Sequence, residues 1–262
     1  MGHQRLGTLP ASRAWQSIIA LITGGADAKQ VAAAVSDVAE PALAVAANDR
    51  ALQHGFWLLT QIPLAARDAA FGEALQRIGL EVVAEPTITE IGAAVMSMLD
   101  DTILADRRSN DFSDLAATTV VESLVSVAAR DEGSLFGSTY QADEAWASLR
   151  KLASPARFAV LVRDFVARLT REHLGYYLSR TLPAQVGQSH RFQSLRDHHL
   201  FETALTLHCR EASLIVEQFA ADWYGKHSFE GTLTPKTAAG FVQAAFKKVR
   251  EELRARGGVV HA

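Results

Sequence analysis

Three observations predict an all-α protein, a multi-helix bundle with a stack of shorter helices in the N-terminal half and a long helical hairpin in the C-terminal half. Apolar residues recur at three- and four-residue spacings through most of the chain, the pattern of a helix with one buried face. The seven prolines lie mostly between those periodic segments, as they must if the segments are helices, because proline removes a donor and clashes in a helix interior. Two reciprocal caps, Asp27 with Gln30 and Thr87 with Glu90, each stand just ahead of a periodic run.

Taken in order, Ser12 to Thr23 forms the first helix, burying Trp15, Ile18, Ile19 and Ile22, and Gly24 and Gly25 end it. A second, alanine-rich helix runs from the Asp27 cap to about Glu40, and Pro41 opens or interrupts a third that reaches Asn48. Arg50 to Gln61, with Phe56, Trp57 and Leu59, is the fourth, and Ala66 to Ala84 the fifth. The tetrapeptide Val38 to Pro41 recurs as Val83 to Pro86, an offset of 45 residues, which gives the first half a repeat-like aspect. Thr87 caps a helix carrying Ile91, Val95, Met98 and Leu99 toward Asp106; Arg107 to Phe112 is a polar loop, and Ser113 starts a helix ending near Arg130.

Asp131 to Tyr140, rich in glycine and serine, is the best linker candidate, dividing the chain into residues 1–134 and 135–262. The charge balance changes sign there, from −7 over residues 1–131 to +4 over 132–262. After a short helix with Trp146, Leu149 and Leu152, Pro155 begins a long one through Leu182, with Phe158, Leu161, Val162, Phe165, Leu169 and Tyr176 as its stripe and a bend expected at Gly175. Pro183 to His190 turns the chain into the organising helix, Arg191 to Tyr224. On it Phe201, Leu205, His208, Ala212, Ile215, Val216, Phe219 and Trp223 share an arc of about 100°. Thr234 as cap, Pro235 at the first position and Gly257 at the end delimit the last helix.

With 48% apolar and 21% charged residues, the chain has an ordinary globular composition. One cysteine, Cys209, makes no intramolecular disulfide and no cysteine zinc site, and no apolar run approaches the ~20 residues of a membrane span. The cytoplasm is therefore the expected location. A pI near 6.3 disfavours a dedicated nucleic-acid binder.

Antiparallel packing about the Pro183 turn sets Glu172 opposite His198 and Glu202, and His208 near Arg168. Buried polar groups need partners, so Glu172 is expected to pair with His198, and Arg168 or Glu211 to serve His208. The resulting cluster of Arg168, Glu172, His198, Glu202, His208 and Glu211 either fixes helix register or does acid–base chemistry. Carboxylate-bridged metal sites in bundles require Glu-x-x-His in duplicate, and the chain offers only the reverse order, once, at His208 to Glu211. No metal and no cofactor are expected. Tyr176, Tyr177, Trp223 and Tyr224 are expected together at the end of the hairpin.

Arg168 and His173, with four residues between them on a helix, resemble the Arg-x4-6-His signature of the HEPN ribonucleases. That resemblance implies Arg168 and His173 acting on a scissile phosphate; a hydrolase using the same hairpin would add Glu172 and His198 to them. The same spacing recurs at Arg191 with His198 and at Arg256 with His261, and Leu169 stands where the family usually has a polar residue. Phosphate-loop, nucleophile-elbow and His-Glu-x-x-His patterns are lacking. The expected function is thus a non-enzymatic interaction or accessory subunit that presents helical surfaces to a protein partner, with Lys247, Lys248, Arg250 and Arg254 of the last helix as the binding face. A helical ribonuclease or hydrolase, and a nucleic-acid-binding module using those same basic residues, are the alternatives.

Overall fold

Local start signals decide where the helices begin. In the computed structural model, which describes residues 13–39, 48–106, 111–130, 142–179 and 181–258, Asp27 and Gln30 form the reciprocal cap of α2 (Ala28–Val38), which follows α1 (Arg13–Thr23). Asp49 caps α3 (Arg50–Ala65) by accepting from Leu52 N–H at 2.8 Å, and α3 keeps Pro63 inside its last turn. Thr87 and Glu90 cap α5 (Ile88–Ala105). The helix expected over residues 66–84 is realised only as α4 (Phe71–Arg77). Gly79, at φ 93°, ends it in the left-handed conformation that glycine adopts without steric cost, and Leu80 N–H turns back to the Leu75 carbonyl.

Beyond α5 come α6 (Asp111–Arg130), which begins inside the expected loop, and α7 (Ala142–Leu152). The linker candidate Asp131 to Tyr140 and all but the last residue of the third helix expected after Pro41 lie outside the described residues. Val38 closes α2, Glu40 and Pro41 of the same tetrapeptide lie outside the described residues, and its second copy, Val83–Pro86, sits in irregular chain between α4 and α5.

The second half departs from expectation in one important way. The organising helix is two helices, α9 (Leu195–Ala212) and α10 (Leu214–Glu230), broken at Ser213, whose hydroxyl donates to the Cys209 carbonyl at 2.8 Å. Such back-bonding by serine competes with the helix ladder. Ser194 and Asp197 form the start signal of α9, four residues later than Arg191. Both helices pack against α8 (Pro155–Leu178). The packing is antiparallel: Phe158 at the start of α8 stacks on Tyr224 of α10, Arg163 binds Glu217 at 2.9 Å, and Arg171 near the end of α8 faces Glu202 of α9 at 3.8 Å. Between them, the Pro183–Gln185 3-10 turn leads into a bridge of Val186 with Phe192.

The last helix, α11 (Pro235–Gly257), lies chiefly on α2 and α3 of the first half. A single contiguous core therefore takes residues from Trp15 to Leu253. At its centre Phe56 stacks on Phe241 with centroids 5.2 Å apart and meets Phe165 and Trp223. Burying a large apolar side chain stabilises by roughly 1.5–3 kcal/mol, so this shared aromatic group ties α3, α8, α10 and α11 together. Among the described residues no helix is long and apolar enough to cross a membrane.

Candidate functional site

At the closed end of the hairpin the last turns of α8, the Pro183 turn and the first turns of α9 enclose a cleft of about 410 Å³. Its apolar floor is Leu115, Leu178, Leu182 and Leu205, and its polar side chains are Arg171, Glu172, Tyr176, Ser179, His198 and Glu202. The three expected residues Glu172, His198 and Glu202 do meet here. Their pairing differs from expectation: His198 Nδ1 faces Glu202 of its own helix at 3.8 Å, while Glu172 is exposed and makes no bond to His198. His198 packs edge-on against Phe192, 5.4 Å between centroids, and its Nε2 is buried without a hydrogen-bond partner.

Arg171, which the sequence reading passed over, is central to the cleft. Its Nε donates to Thr206 Oγ1 at 3.1 Å and its Nη2 faces Glu202 at 3.8 Å. The signal lay at Gly175, one turn on: α8 runs unbroken through it, and a side chain there would collide with the Arg171 guanidinium. Ser179 donates to the Tyr176 carbonyl at 2.9 Å, and among the described residues nothing hydrogen-bonds to His198 Nε2.

The rest of the expected cluster is dispersed. Arg168 turns away from His208 to a different neighbourhood, binding Asp164 Oδ2 at 2.5 Å and Ser126 Oγ at 2.9 Å and facing Glu122 at 3.5 Å. Glu211 faces Arg256 at 3.5 Å. His208 is buried with neither ring nitrogen bonded. Burial, and after it the positive charges of Lys29 and Arg256, lower its pKa against the opposing pull of Glu211 and Asp27. Arg168 and His173 share no site either, since His173 is sealed between Phe112 and Tyr177. Of the other two such spacings, Arg191 is held by the Ala26 carbonyl at 2.7 Å and lies over Phe192, and His261 is outside the described residues.

The four aromatic residues expected together divide between the two ends of the hairpin. Tyr176 and Tyr177 meet edge-on near the Pro183 turn, whereas Trp223 joins Phe56 and Phe241 and Tyr224 joins Phe158. Antiparallel chain direction requires this separation. Cys209 is buried, and burial pushes its thiol up to about 12, which keeps it protonated and unreactive. No group of three or more metal-ligating side chains occurs among the described residues.

The basic face of α11 is partly committed within the molecule. Arg254 pairs with Asp37 of α2, and Lys248 lies 5.9 Å from the Phe219 ring. Lys247 is exposed and Arg250 half-buried.

A different surface is more conspicuous. On the outward side of α9, Leu200 and Leu207 are each 57% exposed and Leu214, at the start of α10, 39%. Leu200 and Leu207, seven residues apart on one helix, lie in one row, and Leu214 follows beyond the break at Ser213, while Leu205, between the first two in sequence, is 1% exposed and faces the core. Arg196 and Arg210 border the row on one side and make no ion pair among the described residues. Comparison with known proteins finds no matching family model, no similar curated protein and no similar solved structure.

Proposed function

We propose that this chain is a non-enzymatic cytoplasmic interaction subunit that seats an acidic amphipathic helix of a protein partner along α9. The observation that supports the reading is the pair Leu200 and Leu207, left in solvent one heptad apart on α9, with the partly exposed Leu214 just beyond the break at Ser213. Covering what is still exposed of each leucine would contribute roughly half of the 1.5–3 kcal/mol of full burial, and exposed apolar rows rimmed by charge mark interaction surfaces. The occupant's charge follows from the rim. Arg196 and Arg210 lie on the same flank, so an antiparallel second copy would set arginine against arginine, and a parallel copy would oppose Glu211 to Glu211 near the seam; like charges at such positions destabilise. A partner helix with carboxylates on that flank meets neither penalty. The buried, unpaired Cys209 suits a reducing compartment.

The test is the double variant Leu200→Glu, Leu207→Glu, which leaves the core untouched and should match the wild type in circular dichroism and melting temperature. Affinity purification from native cells should recover a protein with the wild type that is lost with the variant. The interacting segment of that protein, made as a peptide, should carry acidic residues and bind purified wild-type chain. Identical recovery with both chains would sink the reading, as would a wild-type homodimer in light scattering that the variant abolishes.

A further inference from the structure

We infer that the cleft at the closed end of the hairpin binds a small organic cation, an amine whose ammonium group meets Glu172 while its hydrocarbon part lies on the leucine floor. This surface is separate from the outward row on α9, and the inference stands or falls independently of it.

Size comes first. A cleft of about 410 Å³ falls within the roughly 300–1,000 Å³ of small-molecule sites, which pair an apolar lining with a few placed polar groups. The sign of the ligand follows from which polar groups are already engaged. Arg171 is the cleft's one cation, and it is held by Thr206 and faces Glu202. Glu172 has no partner among the described residues. An anion would have to draw Arg171 from Glu202 and would then lie beside Glu172; a cation meets Glu172 without breaking any contact.

The hydrogen-bonding inventory points the same way. Glu202 faces His198 Nδ1 at 3.8 Å, and His198 Nε2 is closed off from solvent, so that nitrogen is not open to a ligand. The group awaiting a partner in this cleft is the Glu172 carboxylate, an acceptor without a bond among the described residues. An ammonium group, with three donors and no acceptor, is its complement.

A glycine also stands in the helix beside the cleft: Gly175 is a poorer helix former than alanine, and a Cβ there would meet the Arg171 guanidinium.

The probes are n-hexylammonium, hexanoate and hexan-1-ol, titrated into the full chain by calorimetry and followed by amide NMR shifts. Hexylammonium should bind saturably, move the amides of Gly175, Tyr176 and Leu205, and resist competition by the other two. Glu172→Gln, at an exposed position where folding should be undisturbed, should weaken it by about tenfold. No saturable binding of the amine, equal binding of hexanoate or hexanol, or an unchanged affinity in the Glu172→Gln chain would each overturn the inference.

Discussion

Phe158 and Tyr224 stack with ring centroids 3.8 Å apart and 13° between their planes, pinning the start of α8 to α10. Tyr224 is fully buried, and its hydroxyl reaches the Thr60 carbonyl only at 3.5 Å, the far limit of a hydrogen bond. The ring should therefore matter far more than the hydroxyl. Tyr224→Phe is expected to cost about 1 kcal/mol or less, and Tyr224→Ala about 3–5 kcal/mol, the range for emptying a buried aromatic site. Urea denaturation of both variants measures the difference; equal losses would mean that the hydroxyl, not the stack, joins the two helices.

Much of this architecture was legible because burial follows a helical period. Phe201, Leu205, His208 and Ala212 form the inner face of α9 as their spacing requires. The errors on α8 have one physical cause. A seven-residue step carried from Phe158 and Phe165 leads to Glu172, but the α-helix falls about 20° short of closing each heptad. By the end of α8 the buried face has moved on by one residue, so that His173 and Tyr177 are inside and Glu172 and Tyr176 at the rim. The exposed Leu200, Leu207 and Leu214 are hidden in the sequence for another reason. A template with one apolar face assigns the other side to solvent, and these leucines lie among Arg196, Thr203 and Arg210 on that side. The cleft itself depends on which carboxylate Arg171 selects, a choice of side-chain geometry with no counterpart in sequence spacing.

The end of α11 gives a second prediction. Gly257 reads in sequence as a stop signal, yet it is the last helical residue, and Gly258 at φ 62° is the cap. A Cβ on Gly257 would come 2.5 Å from Ala33 Cβ and 3.0 Å from the Lys29 carbonyl oxygen, so the glycine sets how closely α11 crosses α2. Gly257→Ala should force the helices apart and cost on the order of 1–3 kcal/mol. Arg254→Ala, which removes the half-exposed pair with Asp37, should cost about 1 kcal/mol or less, and Lys247→Ala, at an exposed position, should stay within about 0.5 kcal/mol. Thermal or urea unfolding that reversed this order would show that charge, and not close backbone approach, joins the two helices.

His173 makes the fold sensitive to acid. Its ring is 1% exposed and meets Phe112 and Tyr177 edge-on at 5.7 Å and 5.2 Å, with neither nitrogen hydrogen-bonded. Burial pushes its pKa down from 6.5 to about 4, because the charged imidazolium loses its hydration there. Between those values the unfolded chain binds a proton that the folded chain refuses, so stability rises with pH through this window. The contribution is fully present above about pH 6.5 and is lost as pH falls, the loss approaching about 3 kcal/mol at and below pH 4. His208, shifted in the same direction, adds to the slope without changing its sign. Replacing His173 by leucine removes one titrating group while keeping an apolar filling between Phe112 and Tyr177. Urea unfolding free energies followed from about pH 8 to pH 4 should therefore fall more steeply for the wild type than for His173→Leu, and the gap should open mainly below about pH 6.5. Parallel curves would show that the imidazole takes up a proton in the folded protein as readily as in the unfolded chain, which is incompatible with a dry, unpartnered site between two aromatic rings.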